Sequence, residues 1–344
     1  WSFTAHMQYG QALVKAGREI EAPAKFDQAV ALAPDDVEAR LWQETTQLYL
    51  AGREAFAAGD WDTAIESFTL AHDKIPDYSD VFARLVEGYL RKGQAANAEE
   101  NWPVAIDALI KAYNRTGNDA ASRAEATTML SEAYRGQAQV FMAGEDWSDA
   151  IETLTEAGEW LGEDRKVTDL LATSYRQRGI ARQDRLKLQE AKADLREALA
   201  LRPGDAEAKS HLDRVEYLLS KRIIIDISSQ RMYAYRGDDL IYKFKVSTGI
   251  RGRDTSTGHF QILDKIPMAY SRIWRLKMPY WMGIYWVQGI ENGIHALPIR
   301  PNGSVMWGGL LGQKASYGCV ILSNSAAKKL YNWADIGTRV DIRR

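Results

Sequence analysis

Arg222-Ile223-Ile224-Ile225-Asp226-Ile227 is where this chain changes period. The run is β-branched and strand-sized, and beyond it the pattern is period two. Arg231-Met232-Tyr233-Ala234-Tyr235 follows after a Ser228-Ser229-Gln230 turn. The turn Arg236-Gly237-Asp238-Asp239 then leads into Leu240-Ile241-Tyr242-Lys243-Phe244-Lys245-Val246. Short strands and glycine-rich turns are predicted as far as Val320, then an amphipathic helix over 325–334 and a closing strand over 339–342. Residues 221–344 therefore read as a mainly β domain.

Upstream of that switch the period is helical. Asp60-Trp61-Asp62-Thr63-Ala64-Ile65, Asn101-Trp102-Pro103-Val104-Ala105-Ile106 and Asp146-Trp147-Ser148-Asp149-Ala150-Ile151 share a Trp-x-x-Ala-Ile core. Asp or Asn suits a helix N-cap, and Pro103 is tolerated in a first turn. Small-large-small spacings at i, i+4 and i+7 recur: Ala22/Phe26/Ala29, Ala64/Phe68/Ala71, Ala105/Leu109/Ala112, Ala150/Leu154/Ala157 and Ala191/Leu195/Ala198. Small residues let a neighbouring helix approach, and the large one fills the space between. Pro34, Pro76 and Pro203 stop three of these helices. With Gly10, Gly17, Gly52 and Gly59, the pattern resembles the tetratricopeptide repeat. About five units are expected within residues 1–220, an all-α helical-repeat solenoid. The anchors Ala22, Ala64, Ala105, Ala150 and Ala191 stand 41 to 45 residues apart, against about 34 in that family. Longer helices or loops are implied. Trp61, Trp102 and Trp147 are expected to pack in the core. His6, His72 and His211 have no metal-ligand spacing and are expected at the surface.

Composition narrows the class. Hydrophobic residues are 46% and charged residues 26% of the 344, as in an ordinary globular chain. No apolar run approaches the roughly 20 residues of a membrane-spanning helix. The chain begins at Trp1, and any export signal or membrane anchor is expected in a segment missing from it. Charge is uneven: residues 222–344 carry 18 Lys and Arg against 8 Asp and Glu, whereas residues 1–221 carry 26 against 38. The basic part either docks on the acidic part or meets an anionic substrate. No aromatic-basic or helix-turn-helix pattern points to nucleic acid. No metal, nucleotide or flavin motif is present, so no cofactor is expected.

Cys319 is the sole cysteine, so any thiol chemistry must use it. It sits in Ser316-Tyr317-Gly318-Cys319-Val320, after the glycine-rich Trp307-Gly308-Gly309-Leu310-Leu311-Gly312. The β domain holds two histidines. His259 is expected on a solvent face by alternation. His295, in Gly293-Ile294-His295-Ala296-Leu297-Pro298, ends a strand. A nearby imidazole stabilises a thiolate, and the glycine before Cys319 allows a turn that aims N–H groups at an oxyanion. Composition alone leaves a buried structural cysteine equally open.

The ordered motifs of residues 222–344 resemble the L,D-transpeptidase catalytic domain of bacterial cell-wall enzymes. Ile225-Asp226 and Gln230-Arg231-Met232-Tyr233 resemble its opening strands. Val246-Ser247-Thr248-Gly249 and Thr255-Ser256-Thr257-Gly258-His259-Phe260 resemble its glycine-marked strand starts. Met278-Pro279-Tyr280-Trp281-Met282 resembles its active-site flank, Gly293-Ile294-His295 its catalytic histidine and Ser316-Tyr317-Gly318-Cys319-Val320 its nucleophile. Leu330-Tyr331-Asn332-Trp333 and Gly337-Thr338-Arg339-Val340 complete the domain. Two positions depart: the family usually has His at Tyr317 and Arg or Asn at Ile321.

The resemblance implies a peptidoglycan acyltransferase acting in cell-wall biogenesis and cell shape, outside the cytoplasm. Cys319 would form a thioester with a stem peptide, His295 would move the proton, and an amine would resolve the thioester as a 3→3 crosslink. A backbone carbonyl at Ala296 or a neighbour would orient the imidazole. The Tyr317, Gly318 and Cys319 amides would form the oxyanion hole. Tyr280, Trp281, Tyr285, Arg300 and Ser316 are the candidate substrate contacts, with Arg272 and Lys277 as further carboxylate binders. The repeats would dock a protein or peptide. The alternatives are an L,D-carboxypeptidase, in which water resolves the thioester, and a catalytically weakened wall-associated scaffold.

Overall fold

The computed structural model of the chain describes residues 2–344. The chain divides into two compact units, Trp1–Ser174 and Tyr175–Arg344. The first is all helical: α1 (Phe3–Lys15), α2 (Pro23–Leu32), α3 (Val37–Ala58), α4 (Trp61–Lys74), α5 (Val81–Ala98), α6 (Trp102–Tyr113), α7 (Ala120–Ala143), α8 (Trp147–Leu161) and the start of α9 (Arg165–Asp184). Sequential helices pack on one another, α1 on α2, α3 on α4, α5 on α6 and α7 on α8.

The recurring dipeptides mark helix starts as the sequence requires. Asp60, Asn101 and Asp146 are the N-cap residues of α4, α6 and α8. Of the three, only Asp60 caps through its side chain, accepting from the Thr63 amide at 3.2 Å. Every alanine and large residue of the small-large-small motifs is buried. Each large residue meets a small one sixteen positions earlier. A Cβ placed on Gly10 or Gly52 would stand 2.7 Å from the ring of Phe26 or Phe68, and one on Gly93 would collide with Leu109. Ala138 occupies the corresponding position before Leu154. The glycine is therefore a close-approach device: the absent side chain is the socket for the partner helix's large residue. Trp61, Trp102 and Trp147 are only half-buried, with Trp61 edge-on to Phe56 at 5.1 Å. His72 is not a free surface group, because it is half-buried with Nδ1 3.2 Å from the Pro76 carbonyl.

The second unit begins with the rest of α9, then α10 (Leu188–Leu201) and α11 (Ala206–Ser220). The glycine device recurs here, a Cβ on Gly179 standing 2.9 Å from Leu195. His211 is half-buried against Gln183, at 3.0 Å. There follow β1 (Lys221–Asp226), β2 (Arg231–Arg236), β3 (Asp239–Lys245), β4 (Gly258–Gln261), β5 (Asp264–Ser271), β6 (Leu276–Val287), β7 (Ile290–Ala296), β8 (Val320–Leu322), α12 (Asn324–Trp333) and β9 (Arg339–Arg343). Two mixed sheets result, ordered β3-β2-β1-β9-β4 and β5-β6-β7-β8. β1 runs parallel to β9 and β7 parallel to β8, and the other pairs are antiparallel. One core joins the sheets: Ile223, Ile225 and Met232 from the first meet Ile294, Val320 and Leu322 from the second, with Leu330 and Trp333 of α12.

α10 and α11 belong to the same compact unit as the sheets, upstream of the change of period. Two contacts tie them in. Leu186 and Leu188 approach Gly337. Lys221, buried where α11 passes into β1, donates to the Trp333 carbonyl at 2.7 Å and to Asp335 at 2.6 Å. Its ammonium also lies 4.3 Å from the centre of the Tyr217 ring. A buried charge with two charge-assisted partners holds a defined junction, and removing it strands the groups that face it.

The socket predicts a coupled pair. Gly52→Ala destabilises the chain by about 1–3 kcal/mol through overpacking. Combining it with Phe68→Leu, which vacates ring volume, costs less than the sum of the single changes. Denaturant unfolding of the four chains measures this, and strict additivity contradicts the socket.

Candidate active site

Parallel pairing brings the two reactive side chains together. β7 ends at His295-Ala296, and β8 starts directly after Cys319. In the register Ile294 stands beside Val320 and His295 beside Ile321. One pocket is lined by His295, Cys319, Ser316, Tyr317 and Trp281 from the sequence-derived candidates. It also takes Asn292, Glu291, Trp274, Trp307 and Ile321, of which only Ile321 was singled out by sequence.

The imidazole is held on two sides. His295 is 2% exposed, and its Nδ1 lies 2.6 Å from the Ala296 carbonyl. A carbonyl only accepts, so Nδ1 carries the proton and Nε2 keeps its lone pair. The Trp281 indole stacks on the ring at 5.7 Å and 20°. Trp281 is fixed in turn by Asp264, whose Oδ1 accepts from the indole Nε1 at 3.0 Å and from the Gly283 amide at 3.1 Å. Burial pushes the His295 pKa down to about 4, against the opposing pull of the Ala296 bond.

Burial pushes the Cys319 thiol the other way, up to about 11; a hydrogen bond with the Gly293 backbone lowers it, and the nearby Glu291 carboxylate raises it. Glu291 is itself raised, by burial and by Asp264. Between those limits the resting pair is a neutral thiol and a neutral imidazole. The standing thiolate that an adjacent histidine suggests is therefore not the ground state, and the proton has to move as the thiol reacts.

The turn that presents Cys319 is pinned from below. Gly318 has φ +120°, and a Cβ there would meet Asn292 Oδ1 at 2.5 Å. Its carbonyl accepts from Thr255 Oγ1 at 2.8 Å and from the Tyr285 hydroxyl at 3.3 Å. Thr255 Oγ1 also accepts from the Gly249 amide, and Tyr285 from the Ser256 amide. Ser316, fully buried, donates through Oγ to the Cys319 carbonyl at 2.5 Å and accepts weakly from the Gly318 amide at 3.3 Å. The Ser316 amide donates to the Thr248 carbonyl, and Ser247 and Ile321 exchange backbone bonds. The motifs at 246–249 and 255–260 thus act as a bracket for the cysteine turn.

Three candidate substrate contacts lie elsewhere. Tyr285 is buried, its ring against Phe260 and its hydroxyl in the bracket, so it supports the turn and does not wall the groove. Tyr280 packs on Tyr331 at 5.8 Å. Arg300 is exposed on a turn, donating to Ser304 Oγ at 3.4 Å. None of these lines the pocket. Asn292, whose Oδ1 lies 3.9 Å from the thiol, gave no sequence signal beyond its place three residues before His295. His259 is exposed beside Asp341, at 2.7 Å. Among the described residues no cluster of His, Cys, Asp and Glu could hold a metal, and no helix is long and apolar enough to cross a membrane.

The raised thiol gives a pH prediction. Alkylation of Cys319 by a small neutral reagent accelerates about tenfold per pH unit and levels only near pH 11, because the thiolate fraction limits it. A plateau reached below the ordinary thiol range of about 8.5 contradicts the neutral pair.

Residues 220–342 match the family model described as YkuD: L,D-transpeptidase catalytic domain. Among curated proteins there is no match. Solved structures that match part of the chain include an L,D-transpeptidase from Mycobacterium smegmatis, 20% identical, covering 36% of this chain and 59% of that one at a TM-score of 0.31. An L,D-transpeptidase from Mycobacterium tuberculosis H37Rv is 21% identical over 36% of this chain and 58% of its own, with a TM-score of 0.31. One from Stackebrandtia nassauensis is 23% identical over 45% and 77%, with a TM-score of 0.30. The chain spans about three fifths of the length of the first two. Residues 220–342, with their paired sheets and the turn that carries Cys319, are a YkuD-family L,D-transpeptidase catalytic domain.

Proposed function

We propose that this domain is a peptidoglycan L,D-transpeptidase that forms 3→3 stem-peptide crosslinks through a thioester on Cys319. The observation that carries this reading is the shared pocket of Cys319 and His295, with the histidine's Nδ1 committed to Ala296 and its Nε2 left to accept a proton. The thiol proton passes to Nε2 as the sulfur attacks the carbonyl of the stem's third residue. The tetrahedral oxyanion is met by the backbone amides of Tyr317, Gly318 and Cys319. The Gly318 amide is only weakly engaged by Ser316, at 3.3 Å, which leaves it able to donate to that oxygen. Collapse breaks the bond to the terminal D-residue, and His295 gives its proton to the leaving amine. An acceptor amine from a second stem then attacks the thioester, His295 takes its proton, and the thiol is restored. Trp281 and Ser316 line the path of the donor.

The catalytic domain is proposed to begin at residue 221, with residues 1–220 as a tetratricopeptide-like array that docks a protein or peptide partner. The repeated glycine socket supports the repeat reading. The place of action is proposed as extracytoplasmic, where the substrate is.

Incubating the chain with a tetrapeptide stem tests the reaction. The crosslinked dimer is the expected product; tripeptide alone identifies an L,D-carboxypeptidase, and no product a weakened scaffold. His295→Ala is expected to lower the rate by about 10²–10⁴, the usual contribution of a positioned acid–base group.

A further inference from the structure

The rim of the Cys319 pocket carries a stacked cation that the reaction above does not use. Tyr317, where the family usually has histidine, lines the pocket and is 37% exposed. Its ring meets Trp274 at 4.7 Å and stands edge-on to Trp307 at 5.3 Å and 87°. The Arg253 guanidinium lies on this aromatic group, its carbon 4.4 Å from the Tyr317 centroid and 4.7 Å from that of Trp274. Among the described residues Arg253 has no carboxylate partner, while its neighbour Asp254 faces Lys314 at 3.9 Å. The Arg253 backbone is fixed as well. Its amide donates to the Ile250 carbonyl at 2.9 Å, within the loop that Thr255 ties to the cysteine turn.

A guanidinium presents five N–H donors in one plane. Stacking on rings occupies its faces and leaves its edge, where a carboxylate binds through two parallel hydrogen bonds. The ring contacts also lower the ordering cost of a long exposed side chain. Like Arg300, Arg272 and Lys277, Arg253 does not itself line the pocket; it reaches the rim through its contacts with Tyr317 and Trp274, which do. Histidine at 317 would offer a smaller ring, and once protonated it would repel the guanidinium. The departure at Tyr317 thus makes the platform for the cation.

We propose that Arg253, seated on Tyr317 and Trp274, binds a free carboxylate of the donor stem peptide and so selects acidic over amidated donors. This rests on the stem-peptide reading above. The carboxylate belongs either to the side chain of the third residue or to the terminal D-residue, and the same chemistry serves both.

Binding tests this apart from turnover. Titration calorimetry on the Cys319→Ala chain uses three synthetic tetrapeptides: unmodified, amidated at the third-residue side chain, and amidated at the terminus. One amidation is expected to weaken binding about tenfold, and which one identifies the carboxylate. Adding Arg253→Ala is expected to weaken the unmodified peptide equally and to abolish the effect of that amidation. Reactivity of Cys319 toward neutral iodoacetamide, measured in the single Arg253→Ala chain, stays unchanged if the pocket is intact. An unchanged Kd in the variant, an amidation penalty that persists there, or no binding of the unmodified donor overturns the proposal. A chain that binds by this rule but yields no product leaves it standing and removes the transpeptidase reading.

Discussion

The active site depends on one buried backbone oxygen. The Gly318 carbonyl takes hydrogen bonds from both Thr255 and Tyr285, and each of those hydroxyls is spoken for by a further amide. In a site shielded from water such bonds are strong and their loss is costly, so the network specifies a single conformation for the turn. Gly318 itself lies at a positive φ with Asn292 against it, a position closed to any side chain. From that fixed point Cys319 is delivered to the start of β8, and the parallel pairing of β7 with β8 sets His295 beside Ile321, so that Cys319 and His295 line one pocket. A strand register, a glycine and two hydroxyls thus do the positioning.

The same burial that fixes the pair also keeps it uncharged. With the thiol raised to about 11 and the imidazole lowered to about 4, both groups are neutral near pH 7. In the proposed reaction the thiol proton therefore has to pass to Nε2 as the sulfur attacks. Three features lower the cost of the imidazolium that results: the Ala296 carbonyl at Nδ1, the π face of Trp281, and the Asp264 carboxylate behind the indole. No acidic side chain bonds directly to His295 among the described residues, so this arrangement stands where an aspartate would in a triad.

Much of this was legible in the sequence. Period two from residue 222 located β1, β2, β3 and β9 to within a residue, without bounding the strands between Gln261 and Val320, and the Ala/Phe and Ala/Leu spacing located the buried faces of the helices. Scarcity singled out Cys319, and the ordered motifs paired it with His295. What stayed hidden arises from contacts between distant segments. Tyr285 looks like a groove aromatic in the local pattern, yet the β6 bulge near Gly283 turns it into the core. Trp274, Trp307 and Arg253 meet Tyr317 from three separate loops, and no single stretch encodes the group. His72 and His211 lie at the surface but are partly covered, because a lone histidine's exposure follows from its neighbours across a helix pair. The upstream reach of the second compact unit follows from Lys221 and Leu188, whose partners lie more than a hundred residues away.

The central claim is that Cys319 becomes an acyl-enzyme with the help of His295. Peptide-mapped mass spectrometry after exposure to a carbapenem, whose ring opens on an attacking thiolate, tests it directly. The account predicts one covalent adduct, on Cys319, formed by the unaltered chain and far more slowly by His295→Ala. No adduct, or an adduct that forms equally fast without His295, would contradict it.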